Sequence, residues 1–171
     1  MRIEKEDSAI QEAAARENVH FVLNGVRVEP GRLVATDGRV LVTREVRKEE
    51  GEEDFAPYLL DRSAFKSMKG GSLTAGPNGT ATFRGEKGVE MSIPKQEKTY
   101  PKWERVLPNL EENPGITIML SVEYLQKLLK AFKGVEKVNL TIVDGETAAT
   151  LEGETSDGRK VLGLIMPMTL K

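Results

Sequence analysis

Short strand-like runs of apolar residues, several alternating with polar ones, dominate this chain. Val26-Arg27-Val28, Arg32-Leu33-Val34-Ala35, Val40-Leu41-Val42-Thr43 and Val138-Asn139-Leu140-Thr141-Ile142 are the clearest. A period of two places successive side chains on opposite faces, as in a strand with one buried side. Between the runs stand Asn24-Gly25, Asp37-Gly38, Asn78-Gly79, Asp144-Gly145 and Asp157-Gly158. Such pairs tolerate the positive φ angles of tight hairpins. Val19 to Leu23 leads into the first pair, and Arg159 to Met166 follows the last. The pattern predicts antiparallel sheet.

Three segments switch to helical spacing. Asp7 is placed to cap a helix from Ser8 to about Glu17, with Ile10, Ala13 and Ala14 on one face. Asp61 is placed to cap a short helix over Arg62 to Lys69, stopped by Gly70-Gly71. Ser121 is placed to cap the longest, Val122 to Lys133, stopped by Gly134. Asp and Ser oxygens accept from the free N–H groups of a first turn, and glycine suits the position after a last turn. In the third helix Val122, Leu125, Leu128, Leu129 and Phe132 share a face.

The elements repeat in order. Strand 1–6, helix 8–17 and strands 19–46 make one β-α-β-β-β repeat. Strand 56–60, helix 62–69 and strands 72–93 make a second, and strand 116–120, helix 121–133 and strands 138–166 a third. Arg47 to Asp54 reads as a charged loop, its acidic run Glu49 to Asp54 solvated. Pro94, Pro101, Pro108 and Pro114 mark an extended linker over 94–115, on which Trp103 serves as an anchor.

Composition then narrows the class. Hydrophobic residues make up 39% of the 171 and charged ones 30%, which supplies a core and argues against disorder. No apolar run reaches the roughly 18 residues of a spanning helix, and Met1 to Glu6 is charged, without a signal-peptide stretch. We therefore expect a cytoplasmic protein with no membrane partner. There is no cysteine, so disulfides, thiolate metal sites and cysteine nucleophiles are excluded. The single histidine, His20, reads as a surface strand position. Asn78-Gly79-Thr80 reads as a turn, not a glycan site. The net charge of −2 leaves any DNA contact to a local basic face. Phosphate loop, nucleophile elbow and metal-spaced carboxylates do not occur, so no enzyme, no cofactor and no metal are expected.

Four segments carry a specific likeness. Val19 to Gly25 (VHFVLNG), Leu33 to Leu41 (LVATDGRVL), Tyr100 to Pro108 (YPKWERVLP) and Leu164 to Leu170 (LIMPMTL) resemble, in family order, the bacterial DNA polymerase III beta subunit, the replicative sliding clamp. The resemblance implies an α+β DNA-clamp fold with helices on one face of antiparallel sheets. It implies a clamp domain over 1–108, similar to the family's middle domain, and a half domain over 109–171, similar to the C-terminal half of the last. The family's first domain and the first half of its last have no counterpart. Met1 and the family-like end at Leu170 argue against a fragment of something longer.

The same resemblance implies a pocket for clamp-binding motifs of DNA polymerase, clamp loader and repair factors. Its walls correspond to Leu23, Thr36, Gly38, Leu41, Val106, Leu164, Met166, Pro167 and Met168. Repeats one and three would then be neighbours. Arg39-Val40 stands where the family usually has His-Arg. Apolar walls with unbranched, polarizable methionines suit leucine and phenylalanine anchors. Arg62, Lys66 and Lys69 on the second helix, and Lys127, Lys130 and Lys133 on the third, are placed to face double-stranded DNA without sequence preference. The first helix, with Asp7, Glu12, Glu17 and only Arg16, is not basic. Two functions follow: a processivity clamp encircling DNA as a homo-oligomer, or a non-encircling peptide-binding module that competes with or regulates a full-length clamp.

Overall fold

In the computed structural model, which describes residues 1–16, 23–51, 54–86, 88–109, 111–112 and 114–168, the hairpin pattern folds as antiparallel sheet in two separate units, Met1–Val106 and Leu107–Lys171. The architecture is α+β, antiparallel sheets with few helices.

The first unit contains two motifs. One runs β1 (Arg2–Ile3), a 3-10 helix (Lys5–Ala13), β2 (Gly25–Glu29), β3 (Arg32–Thr36) and β4 (Leu41–Glu45). The other runs β5 (Tyr58–Asp61), α1 (Arg62–Ser67), β6 (Gly71–Ala75), β7 (Thr80–Gly85) and β8 (Glu90–Gln96). Their strands form one sheet in the order β1-β6-β7-β8-β5-β2-β3-β4. The first strand of each motif crosses to the other: β1 lies on β6, and β5 lies on β2. Its second neighbour is the end of its own motif. Leu59 and Leu60 pair with Gln96 and Lys95, and Arg2 bridges Arg47, just beyond β4. The bridge joins the two ends of the strand order, so few backbone groups are left at an open edge.

Strand residues Val26, Val28, Leu33, Leu60, Leu73 and Phe83 meet Ile10, Phe65 and Met68 from the helical segments, with Met1 and Ile3 closing the core. Asp61 caps α1 as predicted, accepting from Ser63 N at 2.8 Å. The helix ends at Ser67, short of Lys69, because Met68 turns extended and buries its side chain. The first helical segment also departs from prediction. It is 3-10, it is capped by Glu4, and Asp7 lies inside it at the third position, accepting from Glu4 N at 2.7 Å. Asp7 is buried there and holds Arg44 Nε at 2.5 Å, which draws the helix start forward. Ile10 and Ala14 are buried as expected. The predicted helix end at Glu17, the strand over Val19 to Val22 and His20 lie outside the described residues.

Two turn and linker predictions need correction. Gly25 does not carry a positive φ. A Cβ there would lie 2.8 Å from Leu60 O, so the glycine serves the close approach of β5. Pro94 belongs to β8, not to a linker: it sits where β8 leaves β7 and takes up β5, a break in the ladder that suits a residue without N–H. Trp103 anchors the following segment. It is buried with Val34, Leu59 and Tyr100, its indole donates to Glu29 Oε1 at 3.3 Å, and Arg32 lies over its ring.

The second unit holds one motif. Ser121 caps α2 (Val122–Ala131), accepting from Tyr124 N at 3.3 Å. Then come β9 (Val135–Thr141), β10 (Ala149–Thr155) and β11 (Lys160–Ile165), in the order β11-β10-β9. Phe132, Ala149, Leu151 and Ile165 form its core, with Leu125 and Leu128 packed against them. Val122 and Leu129, expected on the same face, are exposed, because a three-stranded sheet covers a narrower arc than the apolar stripe spans. The predicted strand over 116–120 forms no ladder. It contributes one sheet-like bond, Met119 O accepting from Met168 N at 2.8 Å. Among the described residues no helix is long and apolar enough to cross a membrane.

Candidate functional site

The second unit gathers four of the expected pocket-wall residues on one concave surface. Leu164, Ile165, Met166, Pro167 and Met168, at the end of β11 and just past it, face Tyr124, Lys127, Leu128 and Ala131 of α2 around a cavity of about 590 Å³. Alternation along β11 buries Ile165 in the core and turns Leu164 and Met166 outward, 61% and 65% exposed. Met168 is half exposed. Pro167 follows the last strand residue, where a missing N–H costs no ladder bond. Gly163 sets the depth of the surface. A Cβ there would fall 2.6 Å from Leu128 Cδ1 and 2.7 Å from Phe132 Cε2; its absence lets α2 lie directly on β11.

Tyr124, Leu128 and Ala131 were not singled out as site residues by sequence reasoning. Their helical spacing was legible, but the spacing of a helix does not say which strand its flank overlooks. Lys127, expected to face DNA, is on the rim of this apolar surface, where its stem adds to the wall and its ammonium reaches solvent.

In the first unit Leu23, Thr36, Gly38 and Leu41, four of the other expected wall residues, stand around one turn. Thr36 ends β3 and Leu41 opens β4, paired across the hairpin. Gly38 has φ +90° and donates its N–H to Thr36 Oγ1 at 3.0 Å. A Cβ on Gly38 would come within 3.7 Å of Leu23 Cδ1, so Leu23 stands beside the turn. Leu41 packs against the Trp103 cluster. Val106 ends a 3-10 helix (Trp103–Val106) and is exposed. Next to the turn, Val40 and Val42 line a groove of about 390 Å³ with Ala9, Ile10 and Ala13, which the sequence did not indicate.

Asp37 holds the turn by accepting from Arg39 N and Val40 N, both at 2.8 Å. The Val40 and Arg39 N–H groups favour the ionised carboxylate and hold it below the usual aspartate value. A lowered folded-state value stabilises the turn above the usual aspartate pKa, and the effect is lost as pH falls through the lowered one. A carboxyl titration by NMR should give Asp37 a midpoint below that of an unstructured aspartate; an ordinary midpoint would mean the turn does not hold in solution.

The basic residues divide between the two units. Arg62 is half-buried, donating to Gln11 Oε1 at 2.8 Å and lying 3.8 Å from Glu12. Lys66 is exposed on α1, and Lys69 lies past its end. Lys130 is exposed on α2, while Lys133 lies beyond the cap residue Phe132. Among the described residues no three His, Asp or Glu side chains gather as metal ligands.

No protein-family model and no curated protein sequence matches the chain. Solved structures do. The beta sliding clamp of Caulobacter crescentus superposes with a TM-score of 0.74 at 18% identity, over 98% of this chain and 50% of that one. The DNA polymerase III beta sliding clamp of Bartonella birtlesii, solved with griselimycin bound, gives 0.74 at 16%, over 99% and 51%. The DNA polymerase III beta chain of Streptococcus pneumoniae gives 0.71 at 19%, over 99% and 49%. The chain has the sliding-clamp fold and spans about half the length of the clamps it matches.

Proposed function

We propose that this chain, whose fold is that of the bacterial sliding clamps, is an accessory protein of DNA replication or repair that holds short linear motifs of polymerase, clamp-loader and repair proteins. The observation that carries the reading is the concave surface of α2 and β11. Its outward Leu164, Met166 and Met168 are offered to solvent on a strand end fixed from behind by Ile165, Leu128 and Phe132. Exposed apolar side chains cost less when a partner covers them, and methionine adapts to differing anchors. The reading involves no catalytic step. A role in peptide contact for Leu23, Thr36, Gly38, Leu41 and Val106 is a proposal of the same kind. So is the correspondence of the two units to a middle domain and to half of a last one.

The exposed Lys66, Lys127 and Lys130 are proposed to meet DNA phosphates, as an oligomer around the duplex. The second reading is a peptide-binding module that does not encircle DNA and competes with a full-length clamp. The half-length match favours it, and retention on circular but not linear DNA separates the two.

The test is titration of a fluorescent peptide of the Gln-Leu-x-Leu-Phe kind. Peptides of this sort bind near micromolar, about −8 kcal/mol. Met166→Ala should weaken binding by about 1 kcal/mol or more. Absence of saturable binding at about 100 μM, roughly −5.5 kcal/mol, with the protein folded, would end the peptide reading.

A further inference from the structure

We propose that two copies of this chain complete one another through their second units, segment 116–120 of each adding antiparallel to the free edge of β9 in the other. The pairing rests on strand topology and does not depend on peptide binding.

The first unit supplies the rule. The first strand of each motif lies between the end of its own last strand and the second strand of the other motif. The second unit has a single motif, and it keeps the half of the rule that one motif can satisfy. Met119 O accepts from Met168 N at 2.8 Å just beyond β11, as Arg47 O accepts from Arg2 N at 2.8 Å just beyond β4. The other half is open. Among the described residues β9 has β10 on one side and no strand on the other, and the second edge of segment 116–120 is unpaired as well. Unpaired edges of this kind invite strand addition.

The register of the first unit carries over with matching chemistry. On β5 the helix cap Asp61 stands opposite Gly25, the first residue of β2. Placing the cap Ser121 opposite Val135 of the second copy sets Ile118 against its Val138 and Ile116 against its Leu140. Val138 and Leu140 stand opposite Gly153 and Leu151 on β10, so they point to the core side, where Ile118 already packs. The exposures show what is missing. Val28, which holds the place of Val138 in the first unit, is 0% exposed; Val138 is 41%, Leu140 54% and Ile116 55% exposed.

A twofold arrangement uses every contact twice. An aliphatic side chain covers on the order of 100 Å², and Met119, Val122 and Leu129 are also exposed in this unit. With two strand backbones, the interface approaches the about 800 Å² per partner of a stable complex. The half-length match to single clamp chains fits two copies supplying what one longer chain contains.

Sedimentation equilibrium of the full chain should give twice its 18.9 kDa mass. Leu140→Lys and Ile116→Lys, both at positions exposed in a single copy, should each raise the dissociation constant at least tenfold with the far-UV spectrum unchanged. Because the chain has no cysteine, Ile118→Cys combined with Val138→Cys should oxidise to a covalent species of two chains. A monomer up to high micromolar concentration would overturn the proposal. So would association that neither lysine variant alters, or a cross-link confined to one chain. Leu140 and Ile116 are not among the residues that line the α2–β11 surface, so peptide titration on the two lysine variants separates failure here from failure of the peptide reading.

Discussion

Phe132→Ala should destabilise the second unit by about 4 kcal/mol, the usual cost of removing a buried phenylalanine with incomplete collapse of the space. Phe132 is the cap residue of α2 and the largest of four buried side chains there, beside Ala149, Leu151 and Ile165. Its ring and Leu128 share the room left by Gly163, so removing the ring opens a space that Leu128 fills only in part. A core this small has little to spare when whole domains are stable by only about 5–15 kcal/mol. The loss should extend to binding: α2 would lose its seat on β11, and Tyr124 and Leu128 would leave the wall of the concave surface. Urea unfolding followed by far-UV circular dichroism, with peptide titration on the same sample, measures both. A loss below about 1 kcal/mol, the size of an ordinary surface-like change, would show that the ring is not the keystone of this unit.

Gly71→Ala should cost the first unit about 3 kcal/mol, the upper end for a crowded site. A Cβ there would lie 2.3 Å from Arg84 O and 2.8 Å from Gly85 Cα. Both are backbone atoms of β7, so no side-chain rotation can relieve the contact. Gly71 pairs with Gly85 on one side and with Ile3 on the other. Pushing β6 off β7 therefore also disturbs β1, which joins the two motifs. Thermal unfolding against the parent chain gives the value, and an unchanged midpoint would mean that β6 and β7 stand farther apart in solution.

The local features were legible from residues alone. Asp61 and Ser121 cap their helices, Asp37-Gly38 turns between β3 and β4, and Trp103 anchors the segment after β8, because each depends on atoms a few positions away or on one large apolar side chain. The four quoted segments pointed to the clamp fold that the solved structures share. They also supplied Leu164, Met166, Pro167 and Met168 for one surface, but not their α2 partners Tyr124, Leu128 and Ala131.

What only the tertiary structure decided is which neighbour each apolar face receives. Periodicity marks a face as apolar without naming its cover. β1 and β5 therefore exchange motifs without any local sign of it, and Val122 and Leu129 share the stripe of Leu125 yet stay in solvent. Arg62 looked like a free cation on a helix, but packing of the 3-10 helix against α1 brings Gln11 and Glu12 to it. Segment 116–120 reads as a strand in every residue, yet a strand needs a second strand, and among the described residues of one copy only Met168 makes a sheet-like bond to it. The sequence determined most of the elements, the caps at Asp61 and Ser121 and the apolar faces, which follow from near-neighbour sterics and hydrogen bonding. Strand order and exposure were settled by the closure of one sheet and the incompleteness of the other.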